Sequence, residues 1–415
     1  MKNRVLFICF FYVWLTWSQD TARLMFYNLL QFPEAPPVNR ELILRDIVNP
    51  IQPDIFMVAE LQDNAGSDLI LNQSLNSTTT SYAAAPFVFN TSGSGGSINV
   101  MLYYKIDKFS LELTDQIQTS LRDINRYQLK AKTIQQQTNP IILECFVAHF
   151  KASQGPTNEQ IRFNMAQDFT NYINANLNPN ANVIFAGDFN FYSANESGFQ
   201  QLFIGNTIIP MNDPLNQLGD WNTNSTFAAV HTQSTRTSNN PFNDYGAGGG
   251  LDDRFDFIFV SSNLLNPSNN ISYIQNSYQT YGNNGNCFNE NISNSSCTGL
   301  YSQTTRNLLW NMSDHLPIVM DVQLDQAFLR TDSFTTTRLI TFPNGNIVAS
   351  NLTLKINEAY LNKIEYVEVY NALGQQVRRQ PVNYPLINVD VSTFAAGIYY
   401  LKPQFGKIEK FIVNP

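Results

Sequence analysis

The chain predicts an α/β domain of catalytic size followed by a small all-β domain, and three observations carry that prediction. Between Ala22 and Val322, apolar runs break off repeatedly on a polar, ligand-type residue, with helically spaced stretches between some of them. From Phe334 onward the segments become short and alternating, with turn residues between them. At 415 residues, 43% hydrophobic and 14% charged, the chain is long enough for two cores. This composition excludes a disordered protein. The net charge of −8 excludes a global positive field, so any polyanion must be met by a metal or by local Lys and Arg.

Residues 1–18 carry Lys2 and Arg4, an apolar run from Val5 to Leu15, then Thr16-Trp17-Ser18, which read as a secretory signal cut before Gln19. About eleven apolar residues are too few to span a bilayer. The mature protein is expected to be an exported, soluble monomer with no stable membrane insertion. It keeps Cys145, Cys287 and Cys297, of which the last two bracket an Asn/Ser-rich loop that a disulfide can close. Cys145 lies in an apolar run and reads as a buried, inert thiol. No zinc spacing occurs.

In order, 22–30 reads as a strand ending near Asn28, and 39–51 as a helix on Leu42, Ile43, Ile47 and Val48, stopped by Pro53. Residues 54–60 form a strand ending on Glu60. Residues 98–109 and 126–137 read as strands around a polar connection, and 141–148 as a strand running into His149-Phe150-Lys151. A helix over 157–177 has Ile161, Met165, Phe169, Tyr172 and Ile173 on one stripe. The run 183–187 then ends on Asp188-Phe189-Asn190. Side chains two apart on a strand share a face, so Asp188 and Asn190 are expected side by side, able to orient one water for in-line attack on phosphorus. Residues 191–250 are loop-rich and end in Gly246-Ala247-Gly248-Gly249-Gly250, read as a flexible hinge because no Lys-Ser/Thr follows. Acids open the strand 257–261, and Asp314-His315 precede the last apolar run. Two of the three histidines, His149 and His315, thus lie at strand edges beside other polar ligands.

Tyr27-Asn28-Leu29-Leu30, Ala59-Glu60, His149-Phe150-Lys151, Gly187-Asp188-Phe189-Asn190, Arg254-Phe255-Asp256-Phe257 and Ser313-Asp314-His315-Leu316-Pro317 occur in the order and rough spacing of the endonuclease/exonuclease/phosphatase superfamily, which residues 21–325 resemble. The resemblance implies a four-layer αββα sandwich and a phosphoesterase dependent on Mg²⁺ or Mn²⁺. Glu60 would bind the ion, with Asn28 and Asp314 close by; hard oxygen ligands suit such a cation. Asp188 and Asn190 would hold the attacking water. His315 would pair with Asp256 and act as base or as a ligand of a phosphate oxygen, and His149 would donate to the phosphate or leaving oxygen. In pancreatic-type nucleases the residue matching His149 is paired with a carboxylate, where this chain has Gly93-Ser94-Gly95-Gly96-Ser97. Asp253-Arg254 also matches the family's Asp-Arg pair, which makes Asp253 a rival partner for His315.

Nucleic acid, DNA or RNA, is the expected substrate, with a phosphatase or lipid phosphodiesterase on the same scaffold as the alternative. Segments 370–377 and 391–399 resemble the C-terminal type A sorting domain of the Bacteroidetes type IX secretion system, over about residues 333–415. That resemblance implies handling by the type IX machinery and a secreted or cell-surface location, after a catalytic domain spanning 19–328.

Overall fold

The computed structural model describes residues 20–78, 81–93, 98–237, 242–243, 245–329, 339–404 and 407–414. The expected signal at 1–18 and residues 94–97 of the glycine-serine stretch lie outside the described residues. The chain divides into one unit up to Leu329 and another from Arg330.

Strand alternation sets the layering of the first unit. In Ile142–His149, Leu143, Cys145 and Val147 face a cluster shared with strands of another sheet. Phe146 and Ala148 face the opposite way, onto Met165, Phe169 and Ile173 of helix Pro156–Asn176. This six-stranded sheet runs Phe109–Ile117, Ile124–Ala131, Ile142–His149, Val183–Asp188, Asp256–Ser261, Met211–Asn212. The facing seven-stranded sheet is built around Asp20–Phe32, which pairs antiparallel with Ile318–Leu324 and parallel with Ile55–Leu61. Helices Arg40–Ile51 and Gln303–Met312 bury Leu44, Ile47, Leu309 and Met312 against it. The result is a four-layer αββα sandwich of mixed sheets.

Three expectations need correction. The polar connection between 98–109 and 126–137 is itself the strand Phe109–Ile117, an edge strand whose middle faces solvent and therefore lacks an apolar signal. Residues 191–250 include the helix Ser197–Ile204. The helix Gln303–Met312 escaped notice because its buried face begins with Arg306 rather than an apolar residue. Cys287 and Cys297 form a disulfide, and Cys145 is buried with its thiol pushed up by desolvation.

The second unit packs a three-stranded and a five-stranded sheet around Leu352, Leu354, Val367, Val369, Leu401 and Phe411, an all-β sandwich. Its edge strand Gln376–Pro381 is mostly exposed and polar, which hid it in the sequence. Among the described residues, no helix is long and apolar enough to cross a membrane.

Candidate active site

Three adjacent strands of the six-stranded sheet end on one row. His149 sits opposite Asp188 in the parallel pair, and Asp188 opposite Asp256 in the antiparallel pair. Gly187 permits this approach, since a Cβ there would lie 2.5 Å from the Ala148 carbonyl oxygen. The other sheet supplies Asn28 and Glu60 from its two central parallel strands, and Asp314-His315 from the lead-in to Ile318–Leu324. Glu60 lies at φ 59, where the pairing register slips between Val58 and Leu61, a bulge that re-aims its side chain.

The amide of Asn28 ties the two sheets together. Its Nδ2 donates to Glu60 Oε1 and Asp188 Oδ2, both at 3.0 Å, and its Oδ1 accepts from the Leu30 amide at 3.0 Å. Glu60 Oε2 accepts from the Gln31 amide at 3.0 Å. His149 Nε2 lies 3.4 Å from Asp188 Oδ2 and 3.9 Å from Glu60 Oε1. His315 Nδ1 lies 2.7 Å from Asp256 Oδ2, while its Nε2 is 3.7 Å from Asp188 Oδ2 and 3.9 Å from Asp314 Oδ1. Ser313 Oγ donates to the Asn28 carbonyl at 2.7 Å and accepts from the His315 amide at 3.1 Å, fixing the turn that presents this histidine.

Burial pulls the charges of these groups apart. Desolvation, then repulsion from Asp314, raises the Glu60 carboxyl against the hydrogen bond from Asn28. Asp188 is pushed up to about 8, first by burial and then by Asp256 and Glu60, against the attraction of His315. His149 is driven well below its ordinary value by burial and by the charges of Arg122, His315 and Lys151, and is therefore neutral. For His315 burial opposes the charge, but Asp256, Asp314 and Asp188 outweigh it, so this ring is an imidazolium.

The site gathers Asn28, Glu60, His149, Asp188, Asp256, Asp314 and His315, but it places Asn190 differently from the expectation. The strand ends at Asp188, and Asn190 turns to φ 52, its amide N–H donating to Asp188 Oδ1 at 3.2 Å and its side chain reaching the Phe150 carbonyl at 3.4 Å. A left-handed turn, not strand alternation, puts it beside Asp188. The partner of His315 is Asp256, because the Asp253 carboxylate instead takes the Asn222 amide at 2.6 Å. His149 Nδ1 is buried with no partner among the described residues. The glycine run reaches the site: the Ala247 amide donates to Asp314 Oδ2 at 2.6 Å, and a Cβ on Gly246 would meet Asp314 Cβ at 3.0 Å.

Gln233 escaped sequence reasoning, whereas Arg122 is one of the local cations expected to contact phosphates. The Gln233 amide lies 2.7 Å from His315 Nε2, and rotating that amide lets its oxygen accept the imidazolium proton. Arg122 Nη1 donates to the carbonyls of His149 and Phe150 at 3.3 and 3.0 Å, which holds a cation where Glu60 and Asp188 attract it. Gln233 sits in an irregular stretch with no periodicity to expose it.

The donor set fits a hard divalent cation. Carboxylate oxygens of Glu60 and Asp188 lie within 4.8 Å of each other, without a thiolate beside them. Burial, and then repulsion from Asp314, raises Glu60, and a bound cation relieves both.

The model of the endonuclease/exonuclease/phosphatase family matches residues 25–315. The chain belongs to that family. Its members hydrolyse phosphoester bonds and use divalent metals. A secretion system C-terminal sorting domain matches residues 342–414, which marks a type IX cargo at the cell surface or outside the cell. Similar solved structures include TDP2 of D. rerio complexed with a single-strand DNA product, 16% identical, covering 73% of this chain and 99% of that one, with a TM-score of 0.47. The human Nocturnin catalytic domain with bound sulfate is 15% identical, covering 73% and 96% at a TM-score of 0.45. A family member from Bacteroides thetaiotaomicron is 14% identical, covering 74% and 97% at 0.43. No curated protein matches.

Within this family site, the two candidate acids are separable by substitution. Asp256→Asn is expected to lower kcat by about a hundredfold or more and to drop the His315 pKa in an NMR titration, as the loss of a charged orienting partner does. Asp253→Asn should leave both nearly unchanged. Equal losses from the two would remove the distinction.

Proposed function

We propose that the chain is a secreted, Mg²⁺- or Mn²⁺-dependent phosphodiesterase that cuts nucleic acid by in-line attack of water. The observation that carries this reading is the row His149, Asp188, Asp256 meeting Asn28, Glu60, Asp314 and His315 between the two sheets. The Asp188 carboxylate is placed to take a proton from water, and Asn190, turned back against it, holds that water from a second side. The imidazolium of His315, locked by Asp256, donates to a phosphate oxygen. Neutral His149 donates from Nε2 toward the phosphate or leaving oxygen. Glu60 and Asp314 would hold the cation, which supplies compensation for the negative charge growing on the phosphoryl oxygens.

Nucleic acid is favoured as substrate by Arg122, a half-buried cation on the edge of the site, with Lys151 two residues beyond His149. An acidic protein holds a polyanion through few such cations, so nicking of supercoiled DNA should weaken as salt rises with a log–log slope of roughly −0.9 per phosphate contact, a shallow dependence overall. Hydrolysis confined to sphingomyelin vesicles or small phosphomonoesters, with DNA and RNA left intact, would move the assignment to those substrates.

A further inference from the structure

The parts of the site that lie on regular strands are held by the sheets, but Asp314 is held differently. Its carboxylate takes the Ala247 amide at 2.6 Å, and its own carbonyl takes the Thr235 amide at 3.0 Å. Thr235 Oγ1 also donates to the Ser313 carbonyl at 2.8 Å, and the Thr232 carbonyl accepts from Leu316 at 2.8 Å. These contacts come from two irregular stretches, 232–237 and 246–251, which are joined to each other where the Ser234 amide donates to the Gly250 carbonyl at 3.0 Å. The inner end of the first stretch is tied to Asp253, Phe255 and Asp256 through Thr232 and Gln233, so it is Thr235 and the second stretch whose placement depends on what lies on their far side.

The far side is the loop closed by Cys287 and Cys297, whose Cα atoms are 5.3 Å apart. Ile292 donates its amide to the Thr235 carbonyl at 2.8 Å. Leu251 donates to the Glu290 carbonyl at 3.0 Å, and Asn289 to the Leu251 carbonyl at 2.8 Å. The loop thus grips both stretches that grip Asp314. Between the cysteines the apolar residues are Phe288, half-buried and bridged to Leu251, and the fully buried Ile292; the rest of the loop is polar and leans on the bridge, on Gln303, whose Nε2 donates to the Ser293 carbonyl at 2.6 Å, and on Arg306. Arg306 Nη1 donates to the Ile292 and Asn294 carbonyls at 2.7 and 2.6 Å.

We propose that the Cys287–Cys297 bridge is the positioning element of Asp314, and that the chain acquires its high-affinity cation site only when the bridge is closed. This rests on the reading of Asp314 as a residue facing the cation. Reduction by an external dithiol takes two electrons and two protons, leaving thiols at Cys287 and Cys297 while the dithiol closes to its own disulfide. Loop 288–296 then loses its closure, Thr235 and Leu251 lose their outer contacts, and the Asp314 carboxylate is no longer pinned. Glu60, Asp188 and His149, carried by strands, stay in place. A reduced chain inside the cell would therefore bind the cation weakly, and the site would assemble after export.

The test measures Mn²⁺ binding by electron paramagnetic resonance on the full chain, with folding followed by circular dichroism. The oxidised protein is expected to bind about tenfold more tightly than Cys287→Ser/Cys297→Ser, with the spectrum of the fold retained. Arg306→Lys, which leaves the bridge intact but loosens the same loop, should weaken Mn²⁺ by a smaller factor, and it decides the matter if the double variant fails to fold. Unchanged affinity in either folded variant would overturn the proposal. Failure of the oxidised chain itself to bind Mn²⁺ would instead overturn the reading of the cation site, and this inference with it.

Discussion

Asp188→Ala is expected to lower kcat by about a thousandfold or more, and His315→Ala by a similar factor, because each removes a group that acts only in the attack step. The double variant should be scarcely slower than either single one, since groups serving one step are not additive. Stability should move the other way for Asp188. Its folded pKa of about 8 lies above the ordinary carboxyl value of roughly 3.9, so the native state takes up a proton within that window and stability falls as pH rises through it. Asp188→Ala removes this burden, and the metal-free variant should melt above the metal-free parent in a thermal scan near pH 8. A folded Asp188→Ala protein with near-normal turnover would dissolve the arrangement built on that residue.

Chelation is expected to abolish activity, and Mg²⁺ or Mn²⁺ to restore it. The same raised carboxyls give this loss a pH dependence with a definite sign. Glu60 and Asp188 hold protons more tightly in the metal-free protein than free carboxyls do, so a cation must displace them. Affinity should therefore increase as pH rises toward 8. Calorimetric heats near pH 7 should depend on the ionisation enthalpy of the buffer, and the thermal shift caused by Mg²⁺ should be larger at alkaline than at acid pH. Full activity in excess chelator, or heats independent of buffer, would contradict this account.

Much of the site is legible in the sequence because a buried strand announces itself by an apolar run, and the residue that ends the run is the one delivered to the sheet edge. Asn28, Glu60, His149 and Asp188 are found this way, and the Asp314-His315 pair from its place just before the last run. Asn190 is found for the wrong reason, since its place depends on a backbone φ of 52 that no alternation encodes. Gln233 and Ala247 are invisible because they act from irregular segments whose position is fixed by hydrogen bonds between distant parts of the chain. The same limit applies to edge strands. Phe109–Ile117 and Gln376–Pro381 bury too little to carry a pattern, and their pairing is written in their neighbours.

The row formed by His149, Asp188 and Asp256 is aligned by the same alternation that fills the layers on either side of its sheet. If one of these strands slipped by a single residue, Ala148 or Gly187 would take the place of a reacting group, and Phe146 or Phe185 would change sides. Such a chain would lose its interior as well as its chemistry, so errors of alignment are rejected during folding, before any substrate is met. The loops at the mouth are under no such joint constraint. The loop that carries Asn222 adds no strand to that row and can change in length while the row is copied intact, which leaves preference among phosphoesters free to drift on a reaction centre that cannot.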